Sequence, residues 1–189
     1  AALHKKLAQE EGVVIANIGD GSLGCGPVWE SINFSSMRQM KELWDDKYKG
    51  GLPIIFNFMD NQYGMGGQTA GETMAYDVLA RFGAGVNPEQ MHAERIDGYN
   101  PLAVIDGVKR KKKLIEENQG PILLDTLTYR LSGHSTSDSN AYRTEEEIQA
   151  WEENDCLMTY KEKLIEADIA EKDEFNDILS EALLNIQSN

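Results

Sequence analysis

The chain has 189 residues, 41% of them hydrophobic, which suffices for one α/β domain with a buried core and argues against disorder. Its 32 acidic and 18 basic residues give a net charge of −14, which argues against non-specific binding to nucleic acid or to an anionic membrane. No stretch approaches the roughly 18 apolar residues of a membrane span, and Cys25 and Cys156, which match no metal-binding spacing, indicate a reducing compartment.

Short apolar runs bounded by glycine, proline or polar residues predict the strands. Such runs are typical of strands that are buried on both faces of a sheet. The predicted strands are residues 13–18, 53–59, 92–96 and 121–129.

Apolar residues at helical spacing predict the helices that lie between and after these strands. One helix carries Val28, Ile32, Met40 and Trp44, and a second covers residues 73–82. Further helices are predicted behind Asn100-Pro101, behind a capping box of Thr144 and Glu147, and over a terminal stripe of Phe175, Ile178, Leu179, Ala182, Leu183 and Ile186.

Strands that alternate with helices indicate a doubly wound α/β fold with a mainly parallel sheet, followed by C-terminal helices. We expect residues 1–143 to form this α/β domain and residues 144–189 to be a helical extension of the same domain. Ligands of such sheets bind at the carboxyl ends of the strands. The segments that follow the four strands are also the most polar or glycine-rich of the chain: 19–21, 60–67, 97–98 and 130–134.

The first of these segments allows two interpretations. Gly19, Gly21 and Gly24 match the G-x-G-x-x-G fingerprint of dinucleotide-binding folds, between a predicted strand and a predicted helix. However, the Asp20 carboxylate would repel a pyrophosphate unless a cation lay between them. A dinucleotide-binding fold also has an acidic residue about 20 positions after the glycine turn, at the end of its second strand. The nearest candidate at a strand end here, Asp60, lies much further along the chain.

The alternative interpretation is a diphosphate held through a metal ion. Backbone amides at a helix start favour phosphate oxygens, and Asp20 would bind the cation. Magnesium prefers oxygen ligands and leaves several positions to phosphate and water. Asn61 offers an amide oxygen, and the loop after it offers a main-chain carbonyl. A plain tight turn followed by a loop is the reading that needs no ligand.

Three motifs resemble one known family. Gly19-Asp20-Gly21 with Asp60-Asn61 resembles the thiamine-diphosphate motif, and Asn-Gln-Tyr-Gly-Met-Gly at 61–66 is close to its form in alpha subunits of 2-oxoacid dehydrogenase first components. The resemblance continues at 129–138 and 142–148, where those subunits carry Arg-x-x-Gly-His-Ser and then Tyr-Arg-Thr. It covers roughly residues 12–155 and implies the thiamine-diphosphate-binding fold.

The resemblance also implies roles for particular residues. Asp20 and Asn61 would bind magnesium through their side chains, and Tyr63 would bind it through its main-chain carbonyl. The amides of Gly21 and Ser22 would contact the diphosphate of thiamine diphosphate. Two further residues belong to this implied site: Arg130, which would pair with the diphosphate, and His134, which would help to orient the intermediate at the mouth of the active site.

The sequence departs from the family pattern at several places. Asp60 stands where the family commonly has asparagine, and we expect it to add negative charge near the metal. Leu23-Gly24-Cys25-Gly26 replaces the usual Asn-Gln-Gly stretch. The interval at 22–59 is longer than usual, and we assign the surplus to a charged helix extension and a Gly-Gly turn within 40–51.

Relatives in this family carry a long segment before the Gly-Asp-Gly motif, so we expect the chain to be a segment or one chain of a larger assembly. The implied activity is oxidative decarboxylation of a 2-oxo acid with acyl transfer to lipoamide. The implied partners are a beta subunit that supplies the glutamate activating the cofactor, and the lipoyl acyltransferase of a multienzyme complex. The chain alone is expected to be inactive, in a hetero-oligomer, and cytoplasmic or in an organelle matrix.

Two other functions stay open at this stage. One is a nicotinamide-dependent oxidoreductase, which is supported only by the glycine fingerprint. The other is an assembly domain that keeps the fold without turnover. The leading hypothesis is motivated by the three motifs at three strand ends.

Overall fold

A parallel sheet forms the centre of the molecule in a computed structural model, which describes residues 1–86 and 91–188. The four predicted strands are confirmed, with ends shifted by one or two residues. In the described part of the chain they are ordered β1-β2-β4-β3, and every neighbouring pair is parallel. The strands are β1 Val14–Gly19, β2 Ile54–Asp60, β3 His92–Asp97 and β4 Ile122–Leu127.

Helices connect the strands and continue beyond the last of them, which confirms the predicted α/β class. They are α1 Ala2–Ala8, α2 Gly26–Ser35, α3 Arg38–Lys41, α4 Leu79–Val86, α5 Pro101–Glu116, α6 Glu145–Glu153, α7 Cys156–Glu166 and α8 Lys172–Gln187. Short 3-10 turns cover Asp20–Gly24 and Asp46–Tyr48. Over the described residues, none of these helices has the length and apolar character to cross a membrane.

Alternate residues of the central strands enter two separate cores, because successive side chains of a strand point to opposite faces. On one face, Phe56 and Phe58 of β2 join Ile32 of α2 and Phe82 of α4. On the other face, Ile55 belongs to a cluster with residues of β3, β4 and α5. Burial of both faces explains why the strands read as continuous apolar runs.

The helix predicted at 73–82 is wrong in its first half. Residues 73–78 form irregular turns, because the Thr69 carbonyl accepts hydrogen bonds from three successive backbone amides, those of Glu72, Thr73 and Met74. Helix α4 begins later, where the Asp125 carboxylate on β4 accepts a bond from the Ala80 amide at 3.0 Å. The Asp125 side chain, on strand β4, therefore determines where α4 begins.

The helix predicted from Val28 to Trp44 is broken. Helix α2 ends at Ser35, and Met37 has extended backbone angles before the one-turn helix α3. The predicted helix extension within 40–51 is also wrong, since this segment holds the end of α3 and the 3-10 turn. Gly51 packs so closely on Gly120 that a Cβ atom would lie 1.6 Å from the Gly120 carbonyl oxygen.

The terminal helix is confirmed as α8, but its apolar stripe is not part of either core. Ile178, Leu179, Leu183 and Ile186 are all more than half exposed to solvent. The domain division at residue 143 stays a prediction, and Asn189 at the end of the predicted extension lies outside the described residues.

A matched pair of isoleucines tests the difference in burial between the edge strand β1 and the central strand β2. Ile15 and Ile55 are paired across β1 and β2, yet Ile15 is 52% exposed and Ile55 only 1%. We expect Ile55→Ala to lower the free energy of unfolding by about 2–5 kcal/mol, because it leaves a cavity in the core. Ile15→Ala should cost well under half as much. Urea denaturation measures both, and equal losses would contradict the greater burial of central strand β2 relative to edge strand β1.

Candidate functional site

The polar segments predicted to converge do leave the sheet at one edge. Because all strand pairs are parallel, the register places Gly19 beside Met59, and both Asp60 and Asp97 beside Leu127. The segments that follow these residues therefore start at the same level of the sheet. The convergence inferred from the sequence is confirmed.

Asp20 is buried at this edge and binds the loop that follows β2. It is 2% exposed, and its Oδ2 accepts hydrogen bonds from the Gln62 amide at 2.9 Å and from the Thr69 hydroxyl at 2.6 Å. Such bonds to a carboxylate are stronger than those between neutral groups. They join the first predicted motif to the second, and they leave Oδ1 for a cation.

The loop itself turns sharply around Asn61 and Tyr63. Asn61 Oδ1 accepts a hydrogen bond from the Tyr63 amide at 3.0 Å, and Gln62 has a φ of 62°, in the left-handed region. An amide oxygen has two lone pairs, so this bond does not prevent Asn61 from binding a metal.

The chemistry of these donors fits a hard cation. Asp20, Asn61 and the Tyr63 carbonyl would offer one charged and two neutral oxygens, as magnesium accepts when phosphate and water complete its shell. Residues 1–86 and 91–188 hold no group of three or more His, Cys, Asp or Glu side chains placed to bind a metal.

The glycine turn does not open a helix as a dinucleotide fingerprint requires. Gly21 and Ser22 lie in the 3-10 turn, and α2 begins only at Gly26, beyond Gly24. The amides of Gly21 and Ser22 therefore lie in a 3-10 turn and not in the first turn of α2. Gly21 instead packs on the loop after β2, where a Cβ atom would lie 3.3 Å from the Thr69 methyl group.

Arg130 and His134 lie together, next to the Asn61 loop. The Arg130 guanidinium donates to the Gly64 carbonyl at 3.3 Å and to the Tyr142 hydroxyl at 2.9 Å. The guanidinium also contacts His134 Nδ1 at 3.3 Å and donates to the Ser132 carbonyl at 3.2 Å. The third predicted motif is thus in contact with the second.

Arg143 is the buried centre of this region, although we did not predict it as a site residue. It is 8% exposed and donates to the main-chain carbonyls of Arg130 and Ser132 and to the Asn140 side chain. Its guanidinium also lies 5.2–5.7 Å from the ring centres of three tyrosines: Tyr63, Tyr129 and Tyr142. Cationic guanidinium groups bind favourably to such rings.

Asp138 fixes the backbone at His134. Its carboxylate accepts bonds from the His134 amide at 2.8 Å, from the Tyr142 hydroxyl at 2.7 Å and from the Asn140 amide at 3.0 Å. The bond from Tyr142, followed by those from the two amides, lowers the pKa of Asp138 to about 2. Its charge is therefore present at any pH at which the protein would act.

Asp60, at the end of β2, is paired with a cation inside the protein. Arg95 of β3 donates to Asp60 at 2.6 Å and to Asp125 at 2.7 Å, and both carboxyl groups are fully buried. Burial, followed by the hydrogen bond and charge of Asp125, raises the pKa of Asp60 to about 7. That Asp60 adds negative charge near a metal stays a prediction, and the structure adds that Arg95 lies beside this carboxyl group.

Sequence signals for the missed residues were weak. Arg143 follows Tyr142 within a recognised motif, but nothing in the motif shows that the side chain turns inward. Arg95 is a charged residue in a short strand, and its two partners are 35 and 30 positions away in the sequence. Only the tertiary fold brings them together.

The fold and the site define an α/β domain whose glycine turn, asparagine loop and arginine–histidine loop meet at one sheet edge. The family model "Dehydrogenase E1 component" matches residues 1–189, and the chain belongs to this family.

Three relatives illustrate the similarity. The pyruvate dehydrogenase E1 component subunit alpha type I of Ascaris suum is 32% identical over 179 residues, which cover 94% of this chain and 41% of the relative. The corresponding alpha subunit of Rickettsia prowazekii is 29% identical, over 87% of this chain and 46% of its own length. A probable mitochondrial alpha subunit of Caenorhabditis elegans is also 29% identical, over 94% and 41%. The chain thus spans less than half the length of these relatives.

The buried Asp60 predicts an unusual pH dependence of stability. Its folded pKa of about 7 lies above the ordinary value of 3.8, so the folded chain holds this proton more tightly than the unfolded chain does. The contribution of Asp60 to stability is therefore present below about pH 4 and is lost as the pH rises to about 7. Asparagine does not ionise, so Asp60→Asn should become more stable relative to the natural chain as the pH rises from about 4 to about 7.

Urea unfolding between pH 4 and pH 8 measures that difference, with Asp46→Asn in an exposed turn as the control. Parallel curves for Asp60→Asn and the natural chain would contradict the assignment.

Arg143→Lys should loosen the Arg130–His134 loop. Lysine keeps the charge but cannot form the same planar set of bonds to two carbonyls and a side chain. We expect amide hydrogen exchange at residues 130–138 to become roughly ten-fold faster or more, as the loss of bonds to a charged group implies. Arg110→Lys, an exposed arginine paired with Glu94, is the matched control. Unchanged exchange would show that Arg143 does not hold this loop.

Proposed function

We propose that this chain forms the alpha-subunit part of a thiamine-diphosphate and magnesium site in a 2-oxoacid dehydrogenase of the pyruvate dehydrogenase type. The observation that carries the proposal is the contact of three motifs at one sheet edge. Asp20 binds the loop of Asn61 and Tyr63, and Arg130 binds the same loop through Gly64.

In this site, Asp20 and Asn61 hold magnesium through their side chains, and Tyr63 holds it through its main-chain carbonyl. The amides of Gly21 and Ser22 contact the diphosphate, and Arg130 pairs with it through its fork of donors. The bound cofactor would supply the nucleophilic carbon and the electron sink that decarboxylation needs.

His134 orients the reacting group at the mouth of the site and can exchange a proton with it. The exposed ring is in contact with Arg130, and its backbone is fixed by Asp138. The arginine would thus join the diphosphate end of the cofactor to the histidine. Together these residues contribute anchoring and electrostatics.

The proposal includes partners. A beta subunit supplies the activating glutamate, and the acyl group passes to a lipoyl acyltransferase in a multienzyme complex. The chain is then inactive alone and works in a hetero-oligomer, in the cytoplasm or an organelle matrix. The relatives include subunits of mitochondrial and of bacterial origin, which is consistent with both locations.

Calorimetry of thiamine-diphosphate binding, with and without magnesium, tests the site in the chain assembled with its beta subunit. Asp20→Ala should weaken magnesium-dependent binding by about 100-fold or more, because even the loss of outer-shell partners of metal ligands costs about 10–100-fold. Asp46→Ala removes an exposed carboxylate and serves as the control. Its binding should equal that of the natural chain.

Two results would contradict the assignment: cofactor binding that needs no metal, or cofactor binding by Asp20→Ala that equals binding by the natural chain. Binding of NAD with no response to magnesium and thiamine diphosphate would favour the nicotinamide alternative. If the assembly bound its subunits but neither cofactor nor metal, the chain would be an assembly domain.

A further inference from the structure

Glu147 does not complete the capping box that the sequence predicts. The Thr144 hydroxyl accepts the Glu147 amide at 3.1 Å, which is the first half of such a box. The Glu147 carboxylate, however, accepts the Tyr63 hydroxyl with both oxygens, at 2.8 and 2.9 Å. Glu147 therefore binds Tyr63, 84 positions away in the sequence, instead of the backbone at the start of its own helix. This choice of partner indicates a role for Glu147 beyond helix formation.

Helix α6 holds Glu147 in place for this contact. Trp151 lies one turn further along α6, on the same face, and its ring stacks on Tyr129 at 4.8 Å with an interplanar angle of 5°. Tyr129 in turn packs edge-on against Tyr63, with ring centres 6.1 Å apart. These ring contacts hold α6 against Tyr129 and Tyr63, and so keep the Glu147 carboxylate close to the Tyr63 hydroxyl.

The Tyr63 side chain is a donor that does not lose its proton in the physiological range. Burial, followed by the hydrogen bond and charge of Glu147, raises the pKa of Tyr63 to about 12. The ring also lies under the Arg143 guanidinium, at 5.5 Å. The phenol thus stays a hydrogen-bond donor, and its ring is enclosed on several sides.

We propose that Glu147 is a positioning residue that sets the magnesium affinity and selectivity of the site through Tyr63. The inference rests on the proposed function, in which the Tyr63 carbonyl is a metal ligand. Because that carbonyl and the phenol belong to one residue, anchoring the phenol limits how the peptide group can turn.

The contact between Glu147 and Tyr63 should affect magnesium and calcium differently, because the two ions prefer different coordination geometries. Magnesium demands nearly ideal octahedral geometry with short bonds, whereas calcium tolerates irregular shells and longer distances. Asp20 holds the loop at Gln62 and at Thr69, and Glu147 holds the Tyr63 side chain between them. Release of Tyr63 should therefore weaken magnesium more than calcium.

The test uses the chain in its assembly with the beta subunit, titrated with magnesium or with calcium in the presence of thiamine diphosphate. Glu147→Ala and Tyr63→Phe should each raise the magnesium Kd by roughly ten-fold, as the loss of outer-shell partners does. The calcium Kd should change by less than about three-fold. The double variant should resemble either single one, because both remove the same bond.

Conservative and control variants separate positioning from general damage. Glu147→Gln keeps an acceptor oxygen and should recover most of the affinity. Glu146→Gln, at the exposed neighbouring position of α6, should match the natural chain. Thermal melts without metal must stay close to that of the natural chain for Glu147→Gln, whose fold is the least disturbed.

The outcomes distinguish this inference from the proposed function. If the natural chain in its assembly binds no magnesium with thiamine diphosphate, both fail. If it binds them and Glu147→Ala and Tyr63→Phe bind magnesium equally well, only the role of Glu147 is overturned. Equal losses for magnesium and calcium, or additive losses in the double variant, overturn it as well.

Discussion

The hydrogen bonds that Asp20 accepts determine the geometry of the whole sheet edge. A carboxylate buried to this degree would be costly without partners, and its partners here lie on both sides of a glycine-rich loop. Gln62 precedes that loop and Thr69 follows it, so the two bonds close the loop against the end of β1. Tyr63 lies between these two attachments, and Asn61 comes directly before the first of them.

The electrostatics of the edge favour a bound cation. Asp20, Asp60 and Asp125 are buried close enough for the charges of the other two to raise the pKa of Asp60. Arg95 pairs with both Asp60 and Asp125, so it supplies one positive charge for two carboxyl groups, and Asp20 binds the loop after β2. A diphosphate would add further negative charge there, which Arg130 alone would not neutralise. A divalent ion beside Asp20 would make both anions compatible.

The sequence predicts the strands well because both faces of the sheet are apolar, which leaves few alternatives for runs such as 121–127. It also predicts the convergence of the motifs, since parallel strands must end together. It fails where a distant side chain decides the local structure. The start of α4 depends on Asp125, and the cap of α6 is incomplete because Tyr63 attracts Glu147.

The motif residues carry the ligand atoms that we propose, but contacts with other residues orient them. Gly64, Gly66 and Gly67 make the loop adaptable and therefore costly to order. Its order in this structure comes from residues outside the motif: Thr69 at Asp20, Arg130 at the Gly64 carbonyl, and Glu147 at the Tyr63 phenol.

Two chains with the same Asn-Gln-Tyr-Gly-Met-Gly stretch can therefore differ in metal affinity if their helices after the loop differ. Glu147 and Arg143 follow the arginine–histidine loop, which contains the exposed His134. A change in that loop would reach the proposed metal ligands through Tyr63, whose ring contacts Arg143 and whose hydroxyl contacts Glu147. The residues that we propose for cofactor anchoring and for the mouth of the site are thus parts of one connected set of contacts.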